Sequence, residues 1–180
     1  VAIGMMIALE VLNKELLSSG RIAEPLKIGI GLNTGEVTVG NLGSEQRFDY
    51  SCLGDAINLG ARLEGLSKAY GVPIVIGEAT YDVLDRPPAG AEVVLLDHVI
   101  VKGKSIAVAI YGIIPEQGFP TGWCADHNQF MDHVSDENWK EAEVLLGALQ
   151  DRDDYPAELL EQCAYRVEQK SSAVRQMHTK

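Results

Sequence analysis

Apolar residues recur at helical spacing in four stretches of the chain. Residues 1–19 carry apolar side chains three and four positions apart, which predicts an amphipathic helix that ends at the sequence SSG. The sequence GDAINLGARLEGLSKAYG, residues 54–71, predicts a second helix. Residues 136–150 and 156–170 predict a pair of helices towards the C-terminal end of the chain.

Other stretches alternate between apolar and small or polar residues, which is the period of a β-strand. KIGIGLNTG and VTVGN predict two strands that the turn TGE joins as a hairpin. VPIVIG predicts a buried strand, and AEVVLLDHVI with IAVAIYGII predicts a strand pair joined by KGKS. Because strands and helices are mixed without strict alternation, the pattern predicts an α+β fold rather than a doubly wound sheet.

Gly29 and Gly31 fall inside the first predicted strand. Ordinary loop usage explains Gly35 and Gly43, but it explains two glycines inside a strand less well. A glycine within a strand often marks a close approach by another backbone or by a ligand. We therefore expect either another segment of backbone or a ligand to lie against the first strand.

The composition of the chain changes near residue 115. The sequence PEQGFPTGWCADHNQ is rich in Pro, Gly and polar residues, which is typical of a linker. The sequence therefore predicts a first domain over residues 1–114, a linker over 115–135 and a C-terminal helical extension over 136–180.

The charge balance restricts the partners that the chain can bind. The 180 residues are 46% hydrophobic and carry a formal net charge of -11 at pH 7, which argues against a general nucleic-acid surface. A phosphorylated small molecule can still bind where the few basic side chains converge. No run reaches the ~18 apolar residues that span a bilayer, and VAIGMMIAL lacks the basic flank of a signal peptide.

The cysteine pattern favours free thiols in a reducing compartment. The three cysteines are Cys52, Cys124 and Cys163. Their number is odd and they lie far apart, unlike a disulfide framework. Cys124, Asp126, His127 and His133 suggest a metal site, but a second well-spaced ligand pair is missing, so a polar linker is the favoured interpretation.

The helix predicted over residues 54–71 carries two polar side chains in an apolar run, LGDAINLGARLEGL. Asn58 and Arg62 are four residues apart, which places them on one face of a helix. Asp55 is the expected N-cap and Gly71 the expected C-terminal glycine. Two interpretations stay open: Arg62 extends to water while Asn58 lies near the capped N-terminal end, or both side chains project into a cleft and bind an anion.

These motifs together resemble a known family. IGIGLNTGEVTVGNLGSEQRFDYSCLGDAINLGARLEGLSKAYGVPIVIGEATYDVL, followed by LDHVIVKGK, closely resembles the catalytic domain of class III nucleotidyl cyclases. The resemblance covers residues 1–114 and rests on several motifs in the family's order. It implies a ferredoxin-like α+β sandwich that converts ATP to 3′,5′-cyclic AMP and pyrophosphate in signal transduction. It also implies a head-to-tail homodimer with active sites at the interface.

The same resemblance implies roles for five residues. Asn58 would orient the ribose, and Arg62 would stabilise charge that develops on the α-phosphate. Lys102 matches a lysine that contacts the triphosphate, although the residue type alone also fits a solvated turn. Ser51 matches a purine-reading position, where its hydroxyl favours ATP. Cys52 beside it would line the base pocket or form a buried, inert thiol. The segment Gly40–Tyr50 resembles the family's dimerisation arm.

The family's metal ligands fall outside the resemblance. Its members hold two divalent metal ions, Mg or Mn, through two aspartates that would precede residue 1. We therefore expect an N-terminally truncated domain that lacks its first strand, helix and hairpin and binds no metal by itself. From these 180 residues alone we expect no turnover.

The C-terminal part carries a second, weaker resemblance. ENWKEAEVLLGALQD and PAELLEQC resemble the helical extension of bacterial cyclases that have an extracytoplasmic sensor and membrane helices. This implies a cytoplasmic domain of a membrane-attached protein. The alternatives to an adenylate cyclase are a guanylate cyclase or a catalytically inactive cyclase-like module for dimerisation or regulation. Two aspartates at the metal positions upstream would favour an enzyme.

Overall fold

The computed structural model describes residues 1–44, 47–100, 107–170 and 175–176, with the backbone alone for 42–44, 47–49 and 175–176. Within these ranges the helices are α1 (Ala2–Ser18), α2 (Asp55–Tyr70), α3 (Glu78–Tyr81), α4 (Cys124–Ser135), α5 (Trp139–Gln150) and α6 (Ala157–Gln169). The strands there are β1 (Ile30–Leu32), β2 (Thr38–Ser44), β3 (Arg47–Leu53), β4 (Ile74–Gly77), β5 (Ala91–Ile100), β6 (Ala107–Pro115) and β7 (Arg175–Gln176). Among the described helices, none combines the length and hydropathy that crossing a membrane requires.

The strands form one mixed sheet and one separate ribbon. The sheet has the order β1-β4-β6-β5-β7, with β1 parallel to β4, β5 parallel to β7, and the other pairs antiparallel. β2 and β3 form an antiparallel two-stranded ribbon. This mixture of sheet and helices confirms the predicted α+β class and the predicted pairing of β5 with β6. The four helices expected from hydrophobic period are present as α1, α2, α5 and α6.

The predicted hairpin between the first two strands is wrong. β1 pairs in parallel with β4, while β2 pairs with β3. After Leu32 the chain turns towards α2, where the Asn33 side-chain amide donates to the carbonyl of Ala56 (3.1 Å). The chain therefore leaves the sheet at this point instead of folding back along β1.

Alternation along β4 divides the core between the two faces of the sheet. Ile74 and Ile76 pack with Met6 of α1 on one face. Val75 packs on the other face, together with apolar residues of α2, α4, α5 and α6. The side chains of β4 are fully buried on both faces, which explains why its sequence is an unbroken apolar run.

α2 lies so close to β1 that the strand has no room for side chains on that face. A β-carbon at Gly31 would overlap the backbone nitrogen of Glu64 and the carbonyl oxygen of Gly60. A β-carbon at Gly29 would overlap the hydroxyl of Ser67. The predicted close approach is confirmed, and the partner at Gly31 is the backbone of α2 rather than a ligand.

The linker predicted over residues 115–135 is wrong for its second half, which forms α4. The buried residues of this helix recur at helical spacing: Cys124, His127, Phe130, Met131 and Val134. They pack against β5 and share one core with α2. The polar residues that made the segment resemble a linker are therefore part of a packed helix.

Two of these polar residues complete the backbone hydrogen bonding of β5. The Asn128 side chain accepts from the Leu95 N–H (3.3 Å) and donates to the Val93 carbonyl (3.2 Å). The Leu95 carbonyl accepts from Nε2 of His127 (2.8 Å). These backbone groups point away from β6, so α4 covers a strand edge that would otherwise expose them.

The His127 ring forms the centre of a buried hydrogen-bond chain. Since Nε2 donates to a carbonyl, Nδ1 accepts from the hydroxyl of Tyr155 (2.7 Å), whose oxygen lies 3.4 Å from the sulfur of Cys163. Burial lowers the pKa of His127 to about 4, although its bond to Leu95 opposes the shift. The folded protein therefore holds this ring neutral at pH 7.

A β-bulge in β5 changes which residues face the helices. Leu96 is an extra residue relative to β6, and the shift places Asp97 on the same face as Leu96. Asp97 is 1% exposed and forms an ion pair with Arg166 of α6. The Tyr70 hydroxyl of α2 donates to its other carboxylate oxygen (2.6 Å). One buried carboxylate thus joins the sheet to two helices.

Replacing Gly31 by Ala tests the close approach of α2 to β1. The new methyl group would meet backbone atoms, which cannot rotate away as a side chain can. We expect Gly31→Ala to lower the free energy of unfolding by about 1–3 kcal/mol, measured by urea denaturation. The control is Gly147→Ala in α5, where a β-carbon meets nothing within 4 Å and helix propensity predicts a gain of up to about 1 kcal/mol. Equal stability of Gly31→Ala and the unchanged protein would contradict the packing described.

The pH dependence of stability tests the state of His127. The pKa of His127 is about 4 in the folded protein, whereas an ordinary histidine, as in the unfolded chain, has a pKa of 6.5. The unfolded chain therefore binds a proton first as pH falls. The stability contributed by the neutral ring is complete above pH 6.5 and decreases as pH falls towards 4. This amounts to on the order of 3 kcal/mol. In urea titrations, the stability difference between the unchanged protein and His127→Gln should shrink over this window. His133→Gln is the control, and its stability should vary with pH as that of the unchanged protein does. A stability difference between the unchanged protein and His127→Gln that stays constant with pH would contradict the neutral state of His127.

Candidate functional site

α2 presents Asn58 and Arg62 together. Its buried face consists of Leu59, Leu63, Leu66, Ser67 and Tyr70. Because the helix is continuous, Asn58 and Arg62 project from one face, about 6 Å apart along the helix axis. Asn58 is exposed and Arg62 is half-buried. Their placement on one face agrees with the spacing argument, while their role stays a prediction.

Glycines mark the two ends of α2. Gly54 rather than Asp55 occupies the N-cap position, so the prediction that Asp55 caps the helix is wrong. Asp55 lies in the first turn, where its charge complements the helix dipole. Gly71 has a φ of +65° and ends the helix in the left-handed conformation, as predicted.

Asn33 is a residue of this site that the sequence analysis missed. Its side-chain amide donates to the carbonyl of Ala56, two residues before Asn58, and therefore fixes the first turn of α2. Its Oδ1 is buried without a hydrogen-bond partner in the described part of the chain, and it lies where a β-carbon at Gly77 would reach it (2.6 Å). The sequence did contain a signal. Asn33 follows Gly29 and Gly31 at the next alternate position, so a polar side chain takes the place of a third glycine.

The predicted base-binding residues lie on the ribbon that leads into α2. Ser51 and Cys52 are exposed residues of β3, opposite Gly40 and Val39 of β2. Two residues separate Cys52 from the first residue of α2. The structure thus places them next to the helix that carries Asn58 and Arg62. Lys102 lies outside the described residues.

The residues described here do not form a metal site. Among them, no three His, Cys, Asp or Glu side chains come together in a way that could hold an ion. The sequence had suggested a metal site at Cys124, Asp126, His127 and His133. In the structure, both ring nitrogens of His127 take part in hydrogen bonds, and Asp126 accepts a hydrogen bond from Arg152 (2.9 Å). We therefore derive no chemical step through a metal ion from these residues.

All three cysteines are free, as the sequence analysis expected. Cys124 and Cys163 are buried, and burial raises the pKa of each thiol to about 12. Both stay protonated at neutral pH and act as small apolar groups in the core. Cys52 is exposed on the ribbon.

The face of α2 that carries Asn58 and Arg62 suits an anion with a polar neighbour. The Arg62 guanidinium offers planar, forked donors that match phosphate oxygens. The Asn58 amide, one turn away, offers both a donor and an acceptor, which suits hydroxyl groups. A helix face that carries both groups offers forked donors to an anion and both a donor and an acceptor to a neighbouring polar group.

Comparison with known proteins identifies the same stretch. A family model for the adenylate and guanylate cyclase catalytic domain matches residues 1–114. An adenylate cyclase of Anabaena cylindrica is 37% identical over 114 residues, which cover 62% of this chain and 23% of that protein. The terminal-differentiation-specific adenylate cyclase of Dictyostelium discoideum is 38% identical over 113 residues, which cover 63% of this chain and 5% of that protein. The chain therefore spans less than a quarter of the length of these relatives.

Solved structures agree with the sequence comparison. The adenylyl cyclase CyaB from P. aeruginosa matches with a TM-score of 0.53 and 32% identity, over 64% of this chain and 56% of that one. The guanylyl cyclase Cya2 matches with a TM-score of 0.50 and 30% identity, over 65% of this chain and 56% of that one. The family match covers more than half of the 180 residues and confirms the resemblance stated above. This chain belongs to the family of adenylate and guanylate cyclase catalytic domains.

Proposed function

We propose that this domain, within its full natural chain, converts ATP to 3′,5′-cyclic AMP and pyrophosphate as a head-to-tail homodimer. Family membership supports cyclase chemistry in general. The choice of ATP rests on the hydroxyl of Ser51 and on two relatives that are adenylate cyclases. Because the chain spans 23% and 5% of those relatives, the activity of the whole protein is part of the proposal.

One observation carries the proposal: an accessible amide and a guanidinium share one face of a helix that is held firmly. Asn58 and Arg62 project from α2 one turn apart. Behind them the helix lies directly against the backbone of β1 at Gly31. A site held on a packed helix keeps its geometry better than a site on a loop, which phosphoryl transfer requires.

The reaction explains why these two side chains are needed. The 3′-oxygen of the ribose attacks the α-phosphorus, its proton leaves to a base, and the bond to the bridging oxygen breaks to release pyrophosphate. Negative charge spreads over the phosphoryl oxygens in the transition state. Arg62 would stabilise that charge more strongly than the charge of the ground state. Asn58 would hold the ribose in line for attack.

The remaining predicted contacts complete a nucleotide site. Ser51 and Cys52 would lie along the purine, and Lys102 would contact the triphosphate. The dimer proposal has support from the β2–β3 ribbon, which is separate from the main sheet and exposes Val39 (52%) and Leu53 (58%). Exposed apolar side chains on a separate ribbon suit burial against a second copy of the domain.

Replacement of Arg62 tests the proposed role directly. In the full natural chain, assayed with Mn²⁺ and either ATP or GTP, Arg62→Ala should lower kcat at least about a hundredfold, because a preorganised donor to the transition state is lost. Arg62→Lys should recover only part of this loss, since it keeps the charge without the fork. Cyclic nucleotide formation is the measurement.

Lys68→Ala is the matched control, because Lys68 is an exposed cation in the last turn of the same helix. It should leave kcat within about twofold, the small change typical of an exposed surface charge. Faster turnover of GTP than of ATP would overturn the choice of substrate. A natural chain that dimerises but turns over neither nucleotide would overturn the enzyme proposal in favour of an inactive cyclase-like module.

A further inference from the structure

α6 contacts the last turn of α2 at successive levels. The Gln162 side-chain amide donates to the carbonyl of Ala69 (3.4 Å). At Gly71, which ends α2, a β-carbon would lie 2.6 Å from the Glu158 carboxylate and 3.1 Å from Pro156. The beginning and the middle of α6 therefore lie directly against the C-terminal end of α2.

A third contact, further along α6, is a buried ion pair shared by three elements. Arg166 of α6 is 6% exposed and pairs with Asp97 of β5, which is 1% exposed. Tyr70, the last residue of α2, donates its hydroxyl to Oδ2 of Asp97 (2.6 Å). The His98 N–H donates to Oδ1 of the same carboxylate (2.6 Å). Donors thus hold both carboxylate oxygens.

This ion pair fixes the relative positions of α2, α6 and β5 more than it stabilises the fold. Removing two charges from water costs about as much as their attraction returns, so a buried pair is a weak source of net stability. Hydrogen bonds to a buried carboxylate, however, weaken steeply when distance or angle changes. Apolar contacts between helices tolerate small sliding movements, whereas this network does not.

The network controls the end of α2 that lies away from the candidate site. The middle of α2 is held against β1, where the backbone of Gly60 and Glu64 lies against Gly31, and its first turn is held by Asn33 at Ala56. Arg62 precedes Tyr70 by two helical turns, about 12 Å along the axis. A regular helix transmits a shift or rotation at Tyr70 over this distance, because its backbone hydrogen bonds keep it stiff.

We propose that Arg166, acting through Asp97 and Tyr70, is a positioning residue for Arg62 and Asn58. In this arrangement the C-terminal helix α6 sets the axial position and rotation of α2 relative to the sheet. The inference rests on the proposed function as far as turnover is concerned. The placement of α2 itself can be measured without it.

The kinetic test uses Tyr70→Phe and Arg166→Lys in the full natural chain. Tyr70→Phe removes one hydroxyl and keeps the packed ring, and Arg166→Lys keeps the charge that Asp97 needs. We expect each to lower kcat roughly tenfold while KM changes by less than about twofold, because displacement of about 1 Å can cost up to a hundredfold. Arg152→Lys is the matched control: this partly exposed arginine pairs with Asp126 and Asp154 in the same C-terminal region, and neither partner belongs to α2.

Hydrogen exchange provides a readout that does not depend on turnover. In Tyr70→Phe, amides of residues 57–63 should exchange at least about tenfold faster, while amides of β4 and β6 keep their rates. Uniformly faster exchange, or a lower melting temperature with unchanged kcat and unchanged exchange at 57–63, would overturn the proposal, since both indicate a purely structural role. If the natural chain has no cyclase activity, the proposed function fails, and the exchange at 57–63 still decides whether α6 positions α2.

Discussion

The contact between α2 and β1 is the constraint on which the rest of the molecule depends. At Gly31 the helix backbone occupies the space that any side chain would need, so the two elements touch through their main chains. That contact leaves no layer of flexible side chains to absorb a displacement. The buried face of α2 then meets the sheet at Leu63, while Asn58 is exposed and Arg62 lies half-buried beside that face. The position of the candidate site is therefore a consequence of two glycines, Gly31 in β1 and Gly29 just before it.

The C-terminal helices extend this arrangement beyond residue 114, where the family match ends. Trp123, Phe130 and Leu159 belong to the same apolar cluster as Leu63 and Val94, so no separate core divides the two regions. α4 completes the edge of β5 with His127 and Asn128, and α6 reaches the end of α2 through Arg166. The helical region is thus part of the packing that supports the site.

The sequence predicted the elements whose signals are local. Hydrophobic period located α1, α2, α5 and α6, and the glycines at 29 and 31 indicated a close approach before its partner was known. Apart from the N-cap of α2, which Gly54 occupies instead of Asp55, the failures concern tertiary contacts. Nothing near β1 shows that its partner is β4 rather than the next strand, because that pairing joins distant parts of the chain. α4 was missed because its polar residues bond a strand edge that exists only in the folded sheet. The role of Asn33 depends on its hydrogen bond to Ala56, a residue that is distant in the sequence and adjacent only in the folded structure. Family resemblance supplied the roles of Asn58, Arg62, Ser51, Cys52 and Lys102, which periodicity and composition cannot assign.

The most direct test of the central claim is a crystal structure of the full natural chain with a non-hydrolysable ATP analogue. The account predicts a nucleotide at an interface between two copies, with the guanidinium of Arg62 within about 3 Å of an α-phosphate oxygen and the amide of Asn58 at a similar distance from the ribose. The helix α2 should keep its contact with Gly31 in that structure. A nucleotide bound where neither Asn58 nor Arg62 reaches it would contradict the account.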